Sequence, residues 1–281
     1  ELVEELAADP DSAASMAGER RDMTVLFADI RNFTAISESL SAAELKDLLN
    51  RLFTPMTRVI FEHRGTIDKY VGDMIMAFWG APLADPEHAR HAVAAALAMR
   101  AEAQRLRADF LAEGYPEVDI GVGLNTGAMN VGNMGSDYRR SYTVLGDAVN
   151  LGSRLEGLTK AYGVGIVVGE ATKAGLEDAF LFRRLDRVHV KGRGEPLTIY
   201  EPLCAREAAD TALEHEVAAH EQALDAYFAR DWATARETFG ELAGNQPDDY
   251  VYWLFLQRMA EIDPLADLPA DWDGVYRHES K

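Results

Sequence analysis

Two aspartates stand where apolar runs meet polar loops. Asp29 closes "MTVLFADI" (23–30), and Asp73 lies between "TIDKY" and "MIMAFWG". Two carboxylates at the ends of neighbouring strands can share one or two hard cations, since Mg2+ commonly takes one or two carboxylates plus phosphate oxygens. Each also has a plainer reading. Taken singly, that plainer reading is the favoured one: Asp29 as a strand-end carboxylate facing water and, more strongly still, Asp73 as a turn residue chosen for its backbone habits. Between Asp29 and the next helix, "IRNFTAISE" offers backbone amides of the kind that cradle phosphate at a helix N-terminus. A second focus is "RRSYTVLGDAVNLGSRLE" (139–156). There Asn150 and Arg154, four apart on an expected helix, share one face and could clamp a phosphoryl group. A solvated polar face is the commoner use of that spacing. Lys191, in the Gly-rich "VKGRGE", could reach a phosphate or simply point into water. His88 and His91 are three apart with no third ligand nearby, so they read as a solvated face. No Ser–His–Asp arrangement or other covalent nucleophile stands out, and Cys204 reads as structural.

These residues need elements to hold them. "MTVLFADI" is nearly continuous in apolar and β-branched residues and reads as a buried strand. Ser41 with Glu44 makes a capping box. Leu45, Leu48, Leu49, Leu52 and Phe53 then repeat at helical spacing, Met56, Val59 and Ile60 resume the stripe beyond Pro55, and Gly65 ends it. "TIDKY" and "MIMAFWG" form a hairpin around Val71-Gly72-Asp73, in which Asp68 reads as a solvated strand residue. Asp85 and Pro86 start an Ala-rich helix running to about Leu111, with Asp85 as its N-cap. "VDIGVGLNTGAMNVGNMG" reads as two strands around a Thr126-Gly127 turn. A helix follows over about 147–162, then a strand "VGIVVG", a short helix over 170–176, and a hairpin of "LFRRLDRVHV" with "PLTIYEPL". The order predicts an α+β fold, with helices packed on a largely antiparallel sheet.

Composition narrows the function. The chain has 281 residues and a formal charge of −19, which argues against a duplex nucleic-acid binder. No run approaches the roughly 18–20 apolar residues that span a bilayer. One cysteine excludes an internal disulfide framework and suits a reducing compartment. The expected domains are a linker over 1–20, a main domain over 21–204 and an acidic helical extension over 205–281. The extension holds 6 lysines and arginines against 17 aspartates and glutamates, a net charge of −11. In it Ala223, Tyr227, Phe228, Trp232, Ala235 and Phe239 are spaced like a tetratricopeptide helix pair. A lone repeat cannot bury its own face, so this pair should pack on the main domain or a partner.

Four stretches, "VLFADIRNFT", "GTIDKYVGDMIMAFWG", "SYTVLGDAVNLGSRLE" and "VKGRGEPLTIYE", in that order, resemble the catalytic domain of class III nucleotidyl cyclases. The resemblance covers about residues 20–203 and implies a ferredoxin-like cyclase fold, which converts a nucleoside triphosphate to a 3′,5′-cyclic nucleotide and pyrophosphate. It implies metal ligation by Asp29, Asp73 and the Ile30 carbonyl, with two Mg2+ or Mn2+ per active site. It assigns base reading to Lys69 and Thr143, ribose orientation and transition-state stabilisation to Asn150 and Arg154, and triphosphate contact to Lys191. Phe33, Thr34 and Arg139 fall in the matching substrate-binding segments. It further implies a head-to-tail homodimer with two composite sites. Asp29, Lys69 and Asp73 would come from one chain, and Thr143, Asn150, Arg154 and Lys191 from the other.

Hydrogen bonding decides the expected substrate. A lysine can donate to adenine N1, and a threonine hydroxyl can accept from the 6-amino group. Guanine presents N1–H and O6 there, and guanylate cyclases of the family usually carry an acidic residue where Lys69 stands. The expected activity is therefore adenylate cyclase, a phosphorus–oxygen lyase acting in bacterial signal transduction. The alternatives are a guanylate cyclase, or a non-catalytic cyclase-like dimer that binds nucleotide. The second usually lacks a metal aspartate or the Asn/Arg pair, and none is missing here. A diguanylate cyclase would need a Gly-Gly-acidic-acidic hairpin, which "YVGDMIM" lacks. Two departures stand out: Thr143 replaces the aspartate of many relatives, and Asn32 replaces a usual glycine. Asn tolerates the left-handed conformation, so the loop should keep its shape. Finally, "ELVEELAADP" resembles the stretch after the last membrane helix of bacterial receptor cyclases. The expected context is thus the cytoplasmic, cytosolic part of a membrane-anchored receptor.

Overall fold

In the computed structural model, residues 18–190, 194–261 and 273–277 are described. Lys191 and the linker residues 1–17 fall outside them. The chain divides into two compact units, one through Gly157 and one from Leu158.

The first unit is built on β1 (Glu19–Ile30), β2 (Thr66–Val71), β3 (Met74–Trp79), β4 (Ile120–Gly135) and β5 (Arg140–Leu145). The strand order is β2-β3-β1-β4, with β5 paired to β4, and every pairing is antiparallel. β1 begins at Glu19, inside the stretch expected to be linker. Six consecutive residues of β1, Met23 to Ala28, are buried, as its unbroken apolar run requires.

The helices of this unit are α1 (Phe33–Ser39), α2 (Ala42–Glu62), α3 (His88–Ala112) and the start of α4 (Asp147–Tyr162). The Ser41/Glu44 capping box is present. Leu48, Leu52, Met56, Val59 and Ile60 of α2 are buried, each contributing about 1.5–3 kcal/mol. Pro55 lies inside this helix without splitting it, and the helix ends at Glu62, short of Gly65.

Three local expectations are corrected. The residues around Thr126-Gly127 form no turn: β4 is one 16-residue strand, and its register against β1 runs unbroken from Glu19↔Val131 to Ile30↔Ile120. The hairpin turn comes after Gly135. Asp85 is not a helix cap; α3 starts at His88, while Asp85 accepts from the Glu87 N–H and pairs with His91 Nδ1 at 2.7 Å. His88 and His91 are not a solvated face either, because His88 Nδ1 also meets the Thr24 hydroxyl at 2.8 Å.

The second unit holds β6 (Ile166–Gly169), α5 (Glu170–Lys173), β7 (Phe180–His189), β8 (Leu197–Ala205) and β9 (Tyr276–Arg277), ordered β6-β8-β7-β9. The β7–β8 hairpin is antiparallel as expected. Three helices follow: α6 (Thr211–Phe228), α7 (Trp232–Asn245) and α8 (Tyr250–Glu261). Ala223, Tyr227, Ala235 and Phe239 are buried between them, and Phe255 of α8 stacks on Phe239 at 5.0 Å. Polar anchors tie the helices to β7. Arg184 pairs with Glu221 and Asp225 of α6, and Arg183 with Glu201 and Asp249.

Candidate active site

Antiparallel pairing brings Asp29 and Asp73 together. β1 pairs with β3 as far as Ala28↔Ile75, so the end of β1 lies beside the turn that carries Asp73. Asp73 is close enough to act on the Asp29 carboxyl through hydrogen bonding and charge. Asp29 Oδ1 also accepts from the Ile30 N–H at 3.1 Å. Burial raises the Asp29 carboxyl to about 7, helped by the hydrogen bond and charge of Asp73 and by the charge of Glu156, and opposed by the Ile30 N–H.

Glu156 of α4 was not expected here. Its own pKa is raised by burial and by Asp73, against the pull of Arg31. Two glycines let α4 come close enough to seat it. A Cβ at Gly123 would meet the Glu156 backbone N at 2.1 Å, and one at Gly152 would meet Val25 Cγ1 at 2.8 Å. The Asn125 amide donates to the Ala148 carbonyl at 2.8 Å and fixes the start of the helix. Among the described residues no group of three or more His, Cys, Asp or Glu is arranged to hold a metal. Any cation here would rest on the aspartate pair, backbone oxygens and its own ligands.

The loop after Asp29 has the expected shape. Asn32 is left-handed, with φ 54 and ψ 30, and starts α1 with Phe33 half-buried and Thr34 exposed.

α4 presents Asn150 and Arg154 elsewhere. At 100° per residue, Glu156 lies about 160° around the helix from Arg154 and about 120° from Asn150. Leu151, Gly152, Leu155, Leu158 and Thr159 fill the buried arc, while Asn150, Ser153, Gly157 and Lys160 are exposed. Arg154 is half-buried, yet it makes no ion pair among the described residues. The helix thus turns one acidic edge toward its own chain's aspartates and a polar Asn/Arg face away from them.

A third cluster forms where β5 meets β2. Lys69 Nζ lies 3.5 Å from Thr143 Oγ1. These two residues meet within one chain, where the resemblance divided them between two. Asp68 joins them, correcting its reading as a solvated residue. Its side chain is 0% exposed, it accepts from the Thr143 hydroxyl at 2.5 Å, and it pairs with Lys69 at 3.2 Å. The cause is a β-bulge. Ile67 faces Ala77 and Lys69 faces Met76, so Asp68 is the extra residue. A regular strand would send Asp68 and Lys69 to opposite faces; the bulge brings both to Thr143. Thr143 itself is 6% exposed. Arg139 is exposed in the β4–β5 turn, where its backbone bonds with Ser136.

Residues 16–200 match the profile of the adenylate and guanylate cyclase catalytic domain. The chain is 38% identical over 192 residues to adenylate cyclase 1 of Rhizobium meliloti, covering 68% of this chain and 29% of that protein. It therefore spans about three-tenths of that relative's length. Among solved structures it is similar to the adenylyl cyclase CyaB from P. aeruginosa, with a TM-score of 0.64 and 38% identity over 69% of this chain and 99% of that one. It is also similar to the guanylyl cyclase Cya2, with a TM-score of 0.62 and 34% identity over 69% and 97% of the two chains. The chain belongs to the adenylate and guanylate cyclase catalytic domain family, and its α+β architecture is that of the family's solved catalytic domains.

Proposed function

We propose that this chain catalyses the conversion of ATP to 3′,5′-cyclic AMP and pyrophosphate. The observation that carries the reading is the meeting of Lys69 and Thr143 at 3.5 Å. A donor and an acceptor so placed match N1 and the 6-amino group of adenine. Guanine would set its N1–H against the ammonium. In the reaction the ribose 3′-hydroxyl attacks the α-phosphorus, the bond to the pyrophosphate oxygen breaks, pyrophosphate departs, and the hydroxyl proton passes to water.

The remaining residues have the following roles in this proposal. Arg154 adds positive charge to the α-phosphoryl group as it passes through five-coordination. Asn150, on the same face of α4, orients the ribose. Lys191 and Arg139 contact the triphosphate. Phe33 and Thr34 present backbone amides to it.

Asp29, Asp73 and the Ile30 carbonyl would hold two Mg2+ or Mn2+ ions. The donor set fits them: two half-buried carboxyls are neighbours, and the repulsion that helps lift Asp29 to about 7 is what divalent charge relieves. When bound, such ions make the ribose hydroxyl more acidic and neutralise charge on the attacking and leaving oxygens.

The site is completed across a head-to-tail homodimer. Supporting this, Arg154 lies on the side of α4 opposite Glu156, which neighbours its own chain's aspartates, an arrangement that suits delivery of Arg154 to the aspartates of a second copy. Residues 21–204 form the catalytic domain in this proposal. Residues 1–20 link it to a membrane-anchored, cytosolically facing receptor, and 205–281 are an acidic helical extension. No helix among the described residues is long and apolar enough to cross a membrane.

The test is an assay of purified protein with ATP and with GTP, each with Mg2+ and Mn2+, over a series of protein concentrations. Cyclic AMP formation with specific activity rising with protein concentration is the expected result. Cyclic GMP as the main product, or no product, overturns the reading.

A further inference from the structure

Asp68 lies outside every role assigned above, yet it is the most deeply buried member of the base-reading cluster. Its side chain is fully covered, with one oxygen on the Thr143 hydroxyl at 2.5 Å and the other 3.2 Å from the Lys69 ammonium. The hydrogen bonds can be counted. A threonine hydroxyl has one proton and two lone pairs, and an ionised carboxylate can only accept. Thr143 must therefore spend its proton on Asp68. Its oxygen is left as an acceptor and nothing else. Lys69 has three protons, one of them directed at Thr143 Oγ1 at 3.5 Å; its ammonium forms an ion pair with Asp68 at 3.2 Å, and its side chain remains 46% exposed.

The geometry points to Asp68 as the positioning residue that sets base choice, making the hydroxyl of Thr143 one-directional. This inference rests on the reading that Lys69 and Thr143 face a purine. A free threonine hydroxyl would serve either base, donating to guanine O6 as readily as it accepts from the adenine amino group. With its proton held by Asp68, Thr143 accepts from adenine but sets a lone pair against guanine O6. The Asp68 charge also offsets the Lys69 ammonium, which suits the neutral edge of a base rather than an anion. Asp68 touches no substrate; it sets base choice through Thr143. Its position depends on the bulge between Ile67 and Lys69.

The decisive variant is Asp68→Asn, which keeps shape and can turn its amide to donate to Thr143. The hydroxyl proton is then released. For cyclic nucleotide formation, the ratio of kcat/KM for ATP over GTP is expected to fall by about tenfold or more, mainly through a higher KM for ATP. Thr143→Ser should keep the wild-type ratio. In a Thr143→Val background, Asp68→Asn should change the ratio by no more than about twofold, because the hydroxyl it acts on is gone. Thermal melts of each variant control for folding.

A merely structural Asp68 would lower both activities together and leave the ratio alone. That result, or additivity with Thr143→Val, overturns the inference while leaving the adenylate cyclase reading intact. If wild-type protein makes no cyclic AMP, that reading fails separately. Competition binding of ATP against GTP to wild type and Asp68→Asn then tests Asp68, and an unchanged binding preference overturns its role.

Discussion

Asp29 and Asp186 are both aspartates drawn from water at strand positions, and the protein treats them in opposite ways. Asp186, on β7, is 0% exposed and fully provided for. It accepts from the Tyr162 hydroxyl at 2.6 Å, from Arg258 at 2.6 Å and from the Arg187 N–H at 2.7 Å. Burial raises its pKa, and Arg258 answers with the strongest opposing pull. Asp29 is only half-buried, but its neighbours are Asp73 and Glu156, and both push the same way as burial. A carboxylate that serves the fold is surrounded by donors. One proposed to serve chemistry is left beside other carboxyls, at a cost that a ligand can repay.

The contrast predicts divergent mutants. Asp29→Asn should cut cyclic AMP formation by about a thousandfold or more in a steady-state assay. It should leave the thermal midpoint unchanged or raise it, because a repulsion is removed. Asp186→Asn should do the reverse. It strands the Arg258 guanidinium without its counter-ion, so urea unfolding should show a loss of about 3–5 kcal/mol. A large destabilisation from Asp29→Asn would break the comparison.

The proposed composite site gives a sharper test on the chemical side. Asp29→Asn and Arg154→Ala should each be nearly inactive alone. Mixed in equal amounts they should recover about a quarter of wild-type activity, since half the dimers then carry one intact site of two. Lys69→Glu should lower ATP turnover at least tenfold, by about the worth of one charged hydrogen bond.

The smallest effect belongs to the structural side. His220 is buried against the Phe239 and Tyr252 rings, donates to the Arg184 carbonyl at 2.6 Å and has the Arg183 and Arg184 guanidiniums nearby. Burial, then Arg183, lowers its pKa from 6.5 to about 3. The unfolded chain binds a proton as pH falls through 6.5, and the folded chain does not until about 3. Its contribution is therefore complete above pH 6.5 and lost as pH falls, on the order of 1 kcal/mol between pH 6.5 and 5.5. Unfolding curves at those two pH values, compared with His220→Gln, should show the variant with the shallower dependence.

The sequence was most readable where one local rule acts alone. The apolar run of β1, the capping box at Ser41 and the left-handed Asn32 all follow from neighbouring residues. It misled where a residue serves a distant partner. Thr126-Gly127 looks like a turn, but Thr126 pairs across the sheet with the Thr24 hydroxyl at 2.7 Å. Gly127 makes room for α4, since a Cβ there would sit 3.3 Å from the Ala148 Cβ. Glu156 was overlooked for the same reason, as its role depends on how closely α4 lies against β1 and β4. Asp68 reads as a solvated strand residue because it matches no role that the resemblance assigns, and no pattern in "TIDKY" announces the bulge that turns it toward Thr143.

That bulge makes residues 68 and 69 a single lettered unit, read together by Thr143. Rewriting the second letter alone would leave two carboxylates crowded on one hydroxyl. On the proposed base reading, Lys69→Glu should then lose ATP without gaining GTP, and a conversion of base choice is expected only when the dipeptide is edited as a pair.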